Sequence, residues 1–94
     1  MRVQLEFLGL SRLATGLKRT SLDIQEGATF NDLVRVLAAQ YPALIGNVIQ
    51  SDGKTLQAPN IFNLNTRQMI QEAHMNTSPS DGDLIILMSM SAGG

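Results

Sequence analysis

The sequence of 94 residues contains no cysteine. Disulfides, thiolate metal sites and a cysteine nucleophile are therefore excluded, and any sulfur chemistry has to use another group. The charge is also nearly balanced, with seven Lys and Arg against eight Asp and Glu. A chain without a basic field lacks the electrostatic means to hold nucleic acid or an anionic membrane, so neither is expected among its partners.

Long apolar segments are missing too. Residues 1–6 alternate polar and apolar side chains and lack the continuous apolar stretch of a signal peptide. The longest apolar run, residues 84–88, is far shorter than the roughly 20 residues that span a bilayer. We therefore expect a cytoplasmic protein, and we interpret the glycosylation sequon at residues 76–78 as part of a polar loop.

Two segments near the N-terminus, residues 3–8 and 20–25, show the alternation of half-buried strands. In the first segment, three apolar side chains alternate with two polar ones: Val3, Leu5 and Phe7 with Gln4 and Glu6. The intervening residues 9–16 include Gly9 and Gly16 and are interpreted as a loop. Together these segments predict an N-terminal hairpin.

The next pattern predicts the main helix. Thr29 can cap its start, and Asp32 favours the positive end of the helix dipole. Pro42 cannot continue the helix and disfavours helical geometry at Tyr41, so the helix is expected to end there. Its apolar side chains recur at three- and four-residue spacings and should pack on the sheet: Phe30, Leu33, Val34, Leu37, Ala38 and Tyr41.

The second half of the chain predicts the rest of the sheet. Residues 43–60 are interpreted as an irregular crossover with room for one helical turn, and residues 61–65 as a strand. Residues 68–74 fit either a short strand or a helical turn, and the apolar residues 84–88 suit a central strand. The order predicts an α+β fold: a mixed sheet of four to five strands, the first and last adjacent, with one main helix across one face.

The last strand predicts a docking surface. Ile85 and Leu87 should face the helix, which leaves Ile86, Met88 and Met90 on the open face of the sheet. An exposed apolar stripe often marks a partner site, and methionine adapts to different partners. The alternative is that neighbouring strands or the crossover cover this stripe.

Few side chains in the sequence are candidates for catalysis or metal binding. His74 is the only histidine and lies in a polar segment, so it is interpreted as a surface residue. Asp81-Gly82-Asp83 is interpreted as a turn, because a calcium site needs more oxygen ligands than the pattern supplies. No catalytic residue and no metal site are predicted, and no phosphate-binding loop is present.

The chain resembles the MoaD and ThiS type of sulfur carriers, which share the ubiquitin-like β-grasp fold, and it is also similar to Urm1-like modifiers. The resemblance extends over nearly the whole chain. It depends on residues 3–16, on residues 26–29 before a helix that ends in Gln40-Tyr41-Pro42, on Asp81-Gly82-Asp83, and on Gly93-Gly94.

The resemblance implies a β-grasp domain over residues 1–88 and a flexible tail over residues 89–94. An E1-like adenylating enzyme of the ThiF type would use ATP and magnesium to activate the carboxylate of Gly94. A sulfurtransferase would supply sulfur for a thiocarboxylate, which the large subunit of molybdopterin synthase or another sulfur acceptor would use. The protein would then be a co-substrate or small synthase subunit rather than an enzyme, with no bound cofactor. Gly93 and Gly94 would fit a narrow channel in the activating enzyme, because glycine has no Cβ.

Two other functions share this tail. A ubiquitin-like modifier would end in an isopeptide bond between Gly94 and target lysines, and an interaction domain would have an inert tail. Two features depart from molybdopterin-synthase small subunits: residues 89–92 contain no proline, and Thr66 follows Asn65 where that family usually has glycine.

Overall fold

The two alternating segments form the predicted antiparallel hairpin in the computed structural model, which describes residues 1–90. Strand β1 spans Arg2–Phe7 and strand β2 spans Arg19–Asp23, with Val3 opposite Leu22. The inward side chains of β1 are completely buried, whereas its remaining side chains keep contact with solvent.

The connection between these strands contains a helix that the sequence pattern did not predict. Helix α1 spans Leu10–Thr15, so the interpretation of residues 9–16 as a loop is wrong over those residues. Gly16 ends the helix in a left-handed conformation (φ 71°), and its N–H donates to the carbonyl oxygen of Arg12 over 2.8 Å. Ser11 is the only buried residue of α1, and the helix therefore lacks the apolar stripe that would have revealed it.

The main helix, α2, spans Phe30–Gln40 and begins with a capping box. The hydroxyl oxygen of Thr29 accepts the N–H of Asp32 over 3.1 Å, and the Asp32 carboxylate accepts the N–H of Thr29 over 2.9 Å. Tyr41 caps the other end, and Pro42 opens a 3₁₀ turn over Pro42–Leu44. The predicted cap and end of this helix are therefore confirmed.

The remaining strands are β3 (Asn60–Leu64), β4 (Gln68–Ile70) and β5 (Leu84–Ser89). The sheet order is β2-β1-β5-β3-β4, so the first and last strands are adjacent in the middle of the sheet, as predicted. These two strands are parallel. The sequence allowed either a short strand or a helical turn over residues 68–74. The structure has both, because β4 is followed by a 3₁₀ turn over Glu72–His74.

The core lies between α2 and one face of the sheet. Helix α2 contributes five buried side chains, and the crossover adds Leu44, Val48 and Ile49, none of which is exposed. The aromatic rings of Phe7 and Tyr41 meet edge to face at 5.6 Å. Within residues 1–90, no helix has the length and apolar character needed to cross a membrane.

Candidate functional site

The two glycines predicted to carry the chemistry, Gly93 and Gly94, lie outside the described residues, so their role stays a prediction. The structure shows the strand that leads to them. β5 pairs with β1 on one side and with β3 on the other, and Ile85 and Leu87 are completely buried. The chain thus leaves the domain from the centre of the sheet, where its direction is set by pairing on both sides.

Backbone pairing continues to the last described residue. Ser89 lies opposite Asn60, and the N–H of Met90 donates to the carbonyl oxygen of Pro59 over 2.9 Å. Asn60 is nearly buried, and its side-chain amide donates to the carbonyl oxygen of Gln57 over 2.7 Å. These bonds hold the point from which residues 91–94 continue.

The three predicted docking residues differ in exposure. Ile85 and Leu87 face the core as expected, but Ile86 is only 7% exposed, so the expectation that its side chain is freely available is wrong. Its register neighbours Glu6 and Asn63, on the flanking strands, lie on the same face and shield it. Met88 is partly exposed and Met90 is 52% exposed. Their docking role stays a prediction.

A buried polar group lies beside this stripe. Asn63 is 8% exposed, and its side-chain amide donates to the sulfur of Met69 over 3.4 Å, while its Oδ1 atom has no hydrogen-bond partner. A buried acceptor without a donor costs about 1–3 kcal/mol. The sequence reasoning missed Asn63, although an asparagine between the apolar residues Phe62 and Leu64 was a visible signal.

Beside Met90, a groove of about 750 Å³ separates the crossover from the segment after β4. Its walls combine apolar side chains such as Leu56, Ile61 and Met75 with the amides of Asn31 and Gln71. This mixed lining suits a peptide better than an ion.

The opposite end of the sheet is acidic, and its carboxylates accept hydrogen bonds from other groups of the fold. Asp81 accepts the backbone N–H of Arg2 over 2.7 Å, and Asp83 accepts the N–H of Ser80 over 2.7 Å. The hydrogen bond from Arg2 lowers the pKa of Asp23 below its ordinary value. Among residues 1–90, no cluster of three or more acidic or histidine side chains could hold a metal ion.

His74 is exposed and lies in the 3₁₀ turn after β4, as predicted for a surface residue. Its carbonyl oxygen accepts the hydroxyl of Thr77 over 2.7 Å. The residue therefore contributes to the structure of the turn through its backbone.

Comparison with known proteins places this geometry in a family. No protein-family model matches the sequence. The chain is 31% identical to small archaeal modifier protein 3 of Haloferax volcanii, and the match covers all of both chains. Its fold is similar to the crystal structure of SAMP1 from the same organism, with a TM-score of 0.81, 20% identity and full coverage of both chains.

A second solved structure is similar in fold. It is the protein–protein complex of subunits 1 and 2 of the molybdopterin-converting factor from Helicobacter pylori, with a TM-score of 0.61, 20% identity and full coverage of this chain and of the matched chain. The predicted β-grasp fold is thus confirmed.

Proposed function

The chain belongs to the small archaeal modifier proteins, a family of ubiquitin-like β-grasp modifiers and sulfur carriers, and on this premise we propose that a partner enzyme adenylates Gly94. The E1-like partner would use ATP and magnesium, and the Gly94 carboxylate would attack the α-phosphate and release pyrophosphate. The protein would be the substrate of this step and would contribute no catalytic side chain.

The observation that carries this proposal is the path of β5. Strand β5 lies in the centre of the sheet and precedes Gly93-Gly94 in the sequence. Met90, the last described residue, is hydrogen-bonded to Pro59 in the crossover. From Met90, four further residues span at most about 14 Å when fully extended. A partner has to approach the end of the sheet closely, and glycines without Cβ atoms allow its active site to close around the carboxylate.

We propose that this adenylate is used first for sulfur transfer. A persulfide held by a sulfurtransferase attacks the Gly94 carbonyl, AMP leaves, and an acyl disulfide forms. A second thiol then attacks the sulfur that belongs to the transferase, which breaks the S–S bond and leaves a thiocarboxylate on Gly94. The chain itself has no cysteine that could compete for the activated carbonyl.

The sulfur acceptor that we propose is the molybdopterin precursor, bound by the large subunit of a two-protein synthase. The resemblance to molybdopterin-synthase small subunits over nearly the whole chain supports this choice. The absence of proline from residues 89–92 is the departure that a test has to address.

A second candidate function is conjugation. The 31% identical relative is named a modifier, and this favours attack of a target lysine Nζ on the same adenylate, or on a thioester that a cysteine of the activating enzyme forms from it. AMP leaves in the first case and the enzyme's thiol in the second, and an isopeptide bond joins Gly94 to the lysine. The first step is the same for both functions, and only the nucleophile differs.

Mass spectrometry of the protein purified from its host distinguishes the two. A C-terminal gain of about 16 Da, which is the mass difference between sulfur and oxygen, supports the carrier. Target peptides that carry the C-terminal segment of this chain on a lysine Nζ support the modifier. Because Arg67 is the last lysine or arginine of the sequence, trypsin leaves residues 68–94 as the remnant.

The matched genetic test uses three variants. We expect deletion of Gly94, or addition of one alanine after it, to abolish both products, whereas Lys54→Ala at an exposed loop position has no effect. Unchanged adenylation and an unchanged cellular phenotype after deletion of Gly94 would show that the proposal is wrong.

A further inference from the structure

The exposed large apolar side chains within residues 1–90 are concentrated at one end of the molecule. There are five of them, and Leu13, at 82%, is the most exposed. The others are exposed by 38–52%: Leu10, Leu17, Ile45 and Met90. Such side chains gain nothing for the fold, and a group of them at one end usually marks an interaction site.

Hydrogen bonds connect these residues to the end of β5. The Ser11 hydroxyl and the Leu8 N–H both bond to the carbonyl oxygen of Leu87, over 2.8 and 3.1 Å, and thereby hold α1 against the last strand. The N–H of Phe7 donates to the carbonyl oxygen of Lys18 over 2.9 Å, which places Leu17 at the same end.

Ile45 reaches this end by a different route. It directly follows the 3₁₀ turn over Pro42–Leu44, and this turn packs against α1. The apolar groups therefore come from α1, from the segment after it and from the start of the crossover. All of them lie at the end of the molecule where β5 ends.

The segment that carries Leu10, Leu13 and Leu17 is basic. Residues 8–22 contain Arg12, Lys18 and Arg19 and no acidic residue. Arg19 is paired with Glu6, while Lys18 is exposed and forms no ion pair within residues 1–90. At the opposite end of the sheet lie the carboxylates of Asp23 and Asp81.

We propose that Leu10, Leu13, Leu17 and Ile45 form a docking surface, the leucine surface, for the partner protein that receives the Gly94 carboxylate. The partner presents an apolar area bordered by acidic side chains, which complements the four side chains and the basic residues beside them. This inference rests on the proposed function, since it concerns the enzyme that activates Gly94. The leucine surface is separate from the sheet face that carries Ile86 and Met88.

The test measures ATP–pyrophosphate exchange by the purified E1-like adenylating enzyme of the same organism, with the full chain as variable substrate. Leu13→Ser should raise the KM for the chain about tenfold, because it removes one leucine from the interface, with kcat unchanged at saturation. Lys18→Glu should raise the KM more at low than at high ionic strength. Arg67→Glu is the matched control: the same charge change at an exposed position in the turn after β3 should leave the KM unchanged.

Leu13 is almost fully exposed, so its variant should unfold at the same temperature as the wild type, and a change in KM then reports docking. The proposal is overturned if the wild type is adenylated and both Leu13→Ser and Lys18→Glu keep its KM. It is also overturned if sedimentation shows a wild-type dimer that Leu13→Ser separates while the KM stays constant. Absence of adenylation of the wild type contradicts the proposed function itself, and with it the premise of this inference.

Discussion

The hydroxyl of Ser11 donates a hydrogen bond to the carbonyl oxygen of Leu87 over 2.8 Å, and Ser11 is completely buried. The two residues are separated by 76 positions in the sequence. This bond attaches the short helix α1 to the last strand only three residues before the end of the described chain. The exposed leucines of α1 therefore have a defined position relative to the end of β5.

Removal of this hydroxyl should loosen α1. We expect Ser11→Ala to lower the free energy of unfolding by about 0.5–1.5 kcal/mol, the usual net value of one hydrogen bond, since the N–H of Leu8 still satisfies the Leu87 carbonyl. Urea unfolding measures the loss, and amide exchange in residues 10–15 should accelerate. Ser21→Ala, at an exposed position on β2, is the control and should change stability by less than about 0.5 kcal/mol. Equal stability of the two variants would contradict the structural role of Ser11.

The capping box of α2 should make stability depend on pH. The N–H of Thr29 and, second, its side chain form hydrogen bonds that lower the pKa of Asp32 below the ordinary 3.8. A carboxylate with a lowered folded-state pKa stabilises the fold fully above its unfolded-state pKa. That stabilisation disappears as the pH falls through the folded-state value.

We therefore expect Asp32→Asn to be less stable than the wild type at neutral pH and to approach it at a pH well below 3.8. Urea titrations at several pH values measure the difference. Glu26→Gln, an exposed change in the preceding turn, provides the control for the loss of a negative charge. A difference between Asp32→Asn and the wild type that stays constant into acid would contradict this account.

The turn between β3 and β4 contains a backbone conformation that suits glycine. Asn65 and Thr66 both have positive φ, 56° and 64°, and a β-branched residue such as Thr66 is strained there. We expect Thr66→Gly to stabilise the protein by up to about 1.5 kcal/mol, because about 1–2 kcal/mol of strain is relieved against about 0.5–1 kcal/mol of lost chain entropy. Thermal unfolding measures this gain. Thr66→Ala, which removes the branched side chain but keeps a Cβ, should gain less, and an equal gain would exclude backbone strain as the cause.

The open face of the sheet permits a separate test of the predicted docking stripe. Met88 is partly exposed, so Met88→Ser should cost about 1 kcal/mol or less in stability, whereas Leu87→Ala in the core should cost about 2–5 kcal/mol. If the stripe contacts the activating enzyme, Met88→Ser also raises the KM for the chain in the exchange assay. Gln4→Ser, on the same face but towards the opposite end of the sheet, should have no such effect. An unchanged KM for Met88→Ser would restrict docking to other surfaces.

Much of the fold could be predicted from local patterns. The alternation around Val3 and Leu5 and the cap at Thr29 each identify an element from its own residues, because burial and capping act within a few positions. The central place of the last strand followed from its continuous apolar run, since a strand buried between neighbours has few polar side chains.

The family and the position of the candidate chemistry also followed from the sequence, through the resemblance and through Gly93-Gly94. The exposure of individual side chains did not follow. The alternation along β5 places Ile86 on the face away from the core. Its side chain is nevertheless nearly buried, because Glu6 and Asn63 flank it on the neighbouring strands. A pattern along one strand contains no information about the side chains of the next.

Helix α1 shows the same limit most clearly. Its residues 10–15 form too short a segment to be helical by propensity alone, and glycines border it on both sides. It is held in place by Ser11 and the Leu87 carbonyl, which approach each other only when the parallel pair β1 and β5 has formed. The sequence by itself determined the strands, the capped main helix and the diglycine. Only the tertiary structure decided that the exposed leucines lie at the end of the sheet where β5 ends, because this arrangement depends on contacts between distant parts of the chain.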